Sequence, residues 1–275
     1  MKMWAWMIAA AAVLTGSGLA MAQGTAPAAS AGNWVLERSP ARCVISRQYD
    51  STKGPVTLGI KAPPLGDAMQ VVVLRPGDRN EVRQARARIS IDQSDAAATA
   101  LTYPAKSGSR ITHLVNLGGE QAAALRRARE IELWVKVSMG GSLKRRFALE
   151  PIANAWTQLD ACLLRLRQTW NLDEQNSIVA TWPEPVVGLQ HLFSERDYPS
   201  AAMVGNQTGR SHIILLVDER GTVRDCTLAE TSGAAVLDAA TCGIILTRAR
   251  FKPAIDVQGK AVKAAYETRI RWRLV

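Results

Sequence analysis

Residues 211–233 read SHIILLVDERGTVRDCTLAETSG, and residues 258–275 read QGKAVKAAYETRIRWRLV. Ser211 to Val217 is almost continuously apolar, as expected of a strand inside a sheet. Asp218-Glu219-Arg220-Gly221 supplies a turn, with Gly221 free to take positive φ. A second strand runs from Thr222 to about Glu230 and ends at Ser232-Gly233. Leu237, Ala240, Ile244 and Arg248 recur at helical spacing, which predicts a helix over 237–250. In the last stretch Val262, Ala264, Tyr266, Thr268, Ile270 and Trp272 alternate with Lys263, Ala265, Glu267, Arg269, Arg271 and Arg273. That is the period of a strand with one face to bury. Upstream, Tyr198-Pro199 opens a short helix, since proline in the first turn loses no needed N–H. Strands one and two make an antiparallel hairpin, and the helix carries the chain back. Placing strand three beside strand one gives an all-antiparallel order of 2-1-3, with strand three on an edge.

Six landmarks lie in order between Tyr198 and Val275: Tyr198-Pro199, Val217-Asp218-x-x-Gly221-x-Val223, Ser232-Gly233, Leu237-Asp238, Phe251-x-Pro253-Ala254 and Gly259. In these residues the stretch resembles the C-terminal domain of the TonB family, the periplasmic modules of energy-transducing proteins in Gram-negative bacteria. The resemblance implies an α+β domain over 197–275, a three-stranded antiparallel sheet with two helices on one face. It also implies a role near outer-membrane transport, in which the domain contacts a segment of a transporter.

The rest of the chain reads from the N-terminus. Residues 1–22 combine Lys2, an apolar run from Met3 to Leu14 and the ending Ala20-Met21-Ala22, the pattern of a signal peptide cleaved before Gln23 and of periplasmic export. The competing reading is an uncleaved anchor in the inner membrane, although Thr15-Gly16-Ser17-Gly18 interrupts a run already short for a span. Residues 23–32, QGTAPAASAG, lack the apolar mass to pack and read as a disordered leader. From Asn33 to Trp170 the pattern is β-rich, with strands expected at 34–49, 57–61, 70–75, 85–91, 112–117, 131–137 and 146–149. A short helix is expected at 120–129. Ile152, Trp156, Leu159, Leu163, Leu166 and Trp170 form one apolar stripe on a helix over 151–170, which closes this domain. Residues 171–196, with Trp182-Pro183-Glu184-Pro185, read as a looser join.

The formal net charge is +10, and the arginines are scattered as solvated faces without the interleaved aromatics of a nucleic-acid site. Nucleic acid is not an expected partner. Neither a cofactor nor a metal is expected, because Cys43, Cys162, Cys226 and Cys242 lack CxxC spacing and His113, His191 and His212 are dispersed. His212 reads as a residue at the edge of its strand. No GxSxG, HExxH or phosphate-cradling glycine loop occurs, so no catalytic residue is assigned.

Four cysteines in an exported chain point to disulfides, with three pairings open. On strand two Cys226 shares a face with Leu228, which must point at the helices. Cys242 lies just past Leu237 on the helix that packs there. Cys226 is therefore expected to bond Cys242, leaving Cys43 for Cys162. The expected binding surface is the edge strand: Val262, Lys263, Ala264, Ala265, Tyr266, Glu267, Thr268, Arg269, Ile270, Arg271 and Trp272. Its free N–H and C=O groups can receive a strand from a transporter, another envelope protein or a second copy.

Overall fold

In the computed structural model residues 32–77, 82–105, 109–137, 142–172 and 178–274 are described. The segment expected to be a signal peptide and all of the expected leader except Gly32 lie outside these residues, as do Asp173 to Ser177 of the join. The first domain contains β1 (Val35–Ser39), β2 (Arg42–Tyr49), β3 (Val56–Lys61), β4 (Met69–Pro76), β5 (Arg83–Ile91), β6 (Ser94–Pro104) and β7 (Arg110–Leu117). It continues with α1 (Gly119–Arg127), β8 (Glu130–Lys136), β9 (Leu143–Ala148) and α2 (Ala153–Thr169). After it come β10 (Val179–Thr181), β11 (Glu184–Pro185), α3 (Ser200–Val204), β12 (Gly209–Val217), β13 (Val223–Glu230) and α4 (Ala235–Arg248). The chain ends through β14 (Phe251–Lys252), β15 (Ala254–Asp256), β16 (Ala261–Val262) and β17 (Ala264–Trp272). The class is α+β.

The first nine strands form one antiparallel sheet in the order β1-β2-β3-β4-β7-β6-β5-β8-β9. Alternate residues point inward, among them Ile45, Leu58, Val71, Val115, Ile89, Leu133 and Phe147, all buried in one core cluster. The sheet curls until its last strand comes back to its second. Tyr49 packs edge-to-face on Phe147 at 5.1 Å, and its hydroxyl donates to the Ala148 carbonyl at 2.7 Å. Burial raises the Tyr49 phenol to about 12, so it keeps that donor proton throughout the physiological range. Helix α2 closes the curl. Every member of its apolar stripe from Ile152 to Trp170 is buried, and Cys162 on it is bonded to Cys43 on β2.

Three elements differ from the sequence reading. The expected strand 34–49 is a hairpin, because Pro40 has no N–H to continue a ladder and the chain turns there, pairing Ser39 with Arg42. Strand β6 has no counterpart in the reading. Its inward side is Ala96, Ala98 and Ala100, and alanine carries no strand signal. The pairing of β5 with β6, through a turn with Asp92 and Gln93 both at positive φ, enforces it instead. The join is also tied down over its described part. Val179 pairs with Asp256, Glu184 pairs with Lys252, and Val186 N–H donates to the Arg250 carbonyl at 2.8 Å.

The two domains share a packed boundary. Leu101, Tyr103 and Leu114 of the first domain cluster with Val236, Leu237 and Trp272 of the second. Helix α4 starts without a side-chain cap of its own, because Ala234 stands at the capping position. The first domain supplies the acceptors instead. Ala235 N–H donates to Thr99 Oγ1 at 3.1 Å, and Val236 N–H donates to Gln84 Oε1 at 3.1 Å. Elsewhere along the boundary Lys61 Nζ donates to Asp225 and Thr227 at 3.1 and 3.2 Å. Replacing Thr99 by Val should cost about 1 kcal/mol, the usual value of a helix cap. Urea unfolding followed by tryptophan fluorescence measures it. A loss within experimental error would show that solvent serves that N–H equally well.

Candidate partner-binding edge

The C-terminal domain is built from its hairpin. Asp218 Oδ1 accepts from the N–H groups of Arg220 and Thr222 at 3.0 and 2.9 Å, a side chain holding its own turn. Gly221 takes φ 73°, and a Cβ there would collide with the Phe251 carbonyl, so only glycine fits. Strands β12 and β13 leave this turn in antiparallel register, and β17 pairs on the other side of β12, from Gly209 with Trp272 to Val217 with Ala264. The order is β13-β12-β17.

One face of this sheet carries Ile213, Leu215, Val217, Val223, Leu228, Tyr266 and Ile270 against Ile245, Ala249 and Phe251. Cys226 lies on it and is bonded to Cys242 of α4, with Cα atoms 5.5 Å apart. A cross-link closing a loop of this size contributes about 3 kcal/mol in the chain-entropy account. Trp272 is buried at the end of the strand. Its Nε1 donates to Thr241 Oγ1 at 2.8 Å, and Phe193 and Tyr198 meet it edge-on at 5.5 and 5.3 Å. Tyr198 is thus the ring that packs the short helix α3 to the strand, with Ala202 in the same cluster.

The opposite face is polar towards the end of β17. His212, expected at the edge of its strand, is buried within the central strand β12. Its Nδ1 lies 3.3 Å from an Arg269 nitrogen and 3.6 Å from Glu230, while its Nε2 contacts the Glu267 carboxylate. One step along, Arg210 stands directly opposite Arg271. Both are exposed. No carboxylate within the described residues pairs with either.

The expected surface divides in two. Val262 does not continue the strand; it pairs with Ala254 in a separate small sheet of β10, β15 and β16. The tight turn from Asp256 to Lys260 directs it there. Lys263 is held between sheets, its carbonyl accepting from Asn171 Nδ2 at 2.7 Å and its ammonium 5.5 Å from the Trp170 ring centre. Ala264 is fully buried, and Ala265 packs with Leu216 on the core of the first domain. The open part of the edge is therefore Glu267 to Trp272, where Glu267, Arg269 and Arg271 are exposed and Thr268 and Ile270 half-buried. The shorter edge follows from a contact over nearly a hundred residues, which period-two alternation cannot register.

Residues 194–274 match the family model of the Gram-negative bacterial TonB protein C-terminal. The six landmarks lie inside that range, and residues 33–170 lie outside it. No curated protein matches the chain.

Within the matched residues 194–274 the residue that sequence reasoning undervalued is Asp238. The sequence marks it only as half of the Leu237-Asp238 landmark; in the first turn of α4 the helix dipole also favours its negative charge. It is 2% exposed, and its carboxylate accepts from Ser211 Oγ at 2.8 Å, Ser232 N–H at 2.9 Å, Thr231 Oγ1 and Asn116 Nδ2. Among the described residues no group of His, Cys, Asp and Glu side chains is arranged to hold a metal ion.

Asp197 holds the entry to the domain. Arg248 at the end of α4 meets it with two bonds of 2.7 and 2.6 Å, and Ser194 donates from its hydroxyl and its N–H. These donors, Arg248 first, hold the carboxyl well below the usual range. The unfolded chain takes up this proton near pH 4, whereas the folded one resists it. The stabilisation is thus complete above about pH 4 and is lost as pH falls through the lowered folded value. Asp197→Asn should be less stable than wild type at pH 7, and the gap should close in acid. Melting temperatures across pH 2–7 check this; a gap independent of pH would contradict it.

Proposed function

We propose that the C-terminal domain is a periplasmic protein-binding module linked to outer-membrane transport. On this reading it takes an extended segment of a transporter as a fourth strand along Glu267–Trp272. The observation that carries the reading is an edge strand whose inner face is anchored by Tyr266, Ile270 and Trp272 while its outer edge has no neighbouring strand among the described residues. A rigid edge loses little entropy on receiving a partner, and backbone hydrogen bonds supply the affinity. The family match at 194–274 supports the compartment and the kind of partner. The opposed Arg210 and Arg271 favour a segment with an acidic residue at that row, since complementary charge selects among partners. With only six open residues, the added strand is short, and the first domain blocks its extension past Ala265. The protein acts by binding, without catalysis.

Export follows from residues 1–22, with a mature chain beginning at Gln23. Among the described residues no helix is long and apolar enough to cross a membrane. Intact mass of the protein recovered from periplasm should lack residues 1–22; a mass retaining them, in a membrane fraction, would establish an anchored transducer instead.

Proline tests the strand. Arg269→Pro and Ile270→Pro probe adjacent positions, one of whose N–H groups points away from β12. The variant that keeps its melting temperature should lose capture of extended peptides drawn from an outer-membrane transporter by at least tenfold. Undiminished capture in that variant would rule out strand pairing at this edge.

A further inference from the structure

The sheet face on which the C-terminal domain sits, through Gln84 on β5 and through Thr99 opposite Arg86 on β6, continues past that boundary as a second surface on β5, β8 and β9. Strands β5, β8 and β9 align side chains in rows. Arg86 lies opposite Lys136, and Arg88, Trp134 and Lys144 share the next row. In the following row Ser90, Glu132 and Arg146 line up. Like charges placed directly opposite each other weaken a strand pair unless a counter-charge serves them. Most of the cations here have one. Arg88 lies 3.5 Å from Asp95, while Lys144 and Arg146 reach Glu132 at 3.7 and 3.6 Å. Arg86 and Lys136 have none among the described residues, and both are exposed. Trp134 sits half-buried beside them, its ring 6.0 Å from the Arg88 guanidinium.

We propose that this face docks the protein on an anionic phospholipid bilayer, with Arg86 and Lys136 meeting headgroup phosphates and Trp134 at the polar–apolar boundary. Three observations select that occupant. The surface stays exposed beyond that boundary at four basic side chains, Arg86, Arg88, Lys136 and Lys144. A recess in it, about 170 Å³ between Arg88 and Lys144, also presents Asp95 and Glu132, whose charge repels a free phosphate from entering. A second copy of a chain with formal charge +10 would bring cations to cations. An indole flanked by Arg and Lys suits a layer that is wet on one side and apolar on the other. Headgroup phosphates would also supply the counter-charge that the sheet withholds from the Arg86–Lys136 pair. The face lies on strands separate from β17, so docking and strand addition do not compete for the same residues.

The test uses the full mature chain in a sedimentation assay with two kinds of vesicle, phosphatidylcholine alone and phosphatidylcholine mixed with phosphatidylglycerol. Wild type should sediment with the anionic vesicles and stay in solution with the neutral ones. Each basic residue at an anionic surface is worth about fivefold in partition, so Arg86→Gln with Lys136→Gln should weaken binding about 25-fold. Lys53→Gln with Arg165→Gln removes the same charge from exposed sites elsewhere and should change binding less than twofold. Trp134→Ala should weaken binding while leaving its dependence on salt intact. No sedimentation with anionic vesicles would overturn the proposal. Equal losses in the two double variants would overturn it as well, by showing that net charge alone drives adsorption.

Discussion

The C-terminal domain of this protein depends on one buried carboxylate. Asp238 lies in the first turn of α4, and its oxygens accept from Ser211 on β12, from Thr231 and Ser232 where β13 ends, and from Asn116 on β7. A buried charge is tolerated only when donors replace its water. The need for all these donors fixes how helix, hairpin and first domain meet. The same turn of α4 sends its free N–H groups to Thr99 and Gln84. A helix beginning Ala234-Ala235-Val236 has nothing of its own to offer them. Its start is complete only when docked.

That docking sets what the domain can present. The outer face of the three-stranded sheet is divided. Near the hairpin, Asp225, Thr227, Leu216 and Ala265 are taken up by Lys61 and the core of the first domain. Towards the end of β17, Glu267, Arg269 and the opposed Arg210–Arg271 pair remain at the surface around the buried His212. Asn171 and Trp170, at the end of α2, hold Lys263 and so separate β16 from β17. The first domain thus limits the length of the edge as well as supporting its inner anchors. Its own curled sheet is independent of this task, held by a core of inward side chains and by the bridge from Cys43 to Cys162.

Much of the site was legible before the fold was known, for a physical reason. Period-two alternation from Ala264 to Trp272 and the turn at Gly221 are local properties, and they placed the edge strand. The two disulfides were legible because each joins elements whose buried faces the sequence already marks. His212 was misplaced because both faces of β12 are buried, which erases the alternation that shows where a side chain points. Val262 was misplaced because a strand that changes sheets leaves no mark in its pattern.

By itself the sequence determined the hairpin, the helix stripes, the cysteine pairing and the family of residues 194–274. All but one of these rest on spacing within one element or between nearby ones; the Cys43–Cys162 bridge, 119 positions apart, followed as the remaining pair. Only the tertiary structure decided how much of the edge is open, which groups cap α4, what satisfies Asp238, and that alanine-rich β6 is a strand. Each of those outcomes depends on partners that lie far away in the chain or on the opposite strand. Thr99 and Ala235, for example, are 136 positions apart. A hydrogen bond over that separation is specified by packing geometry, and no local periodicity encodes it.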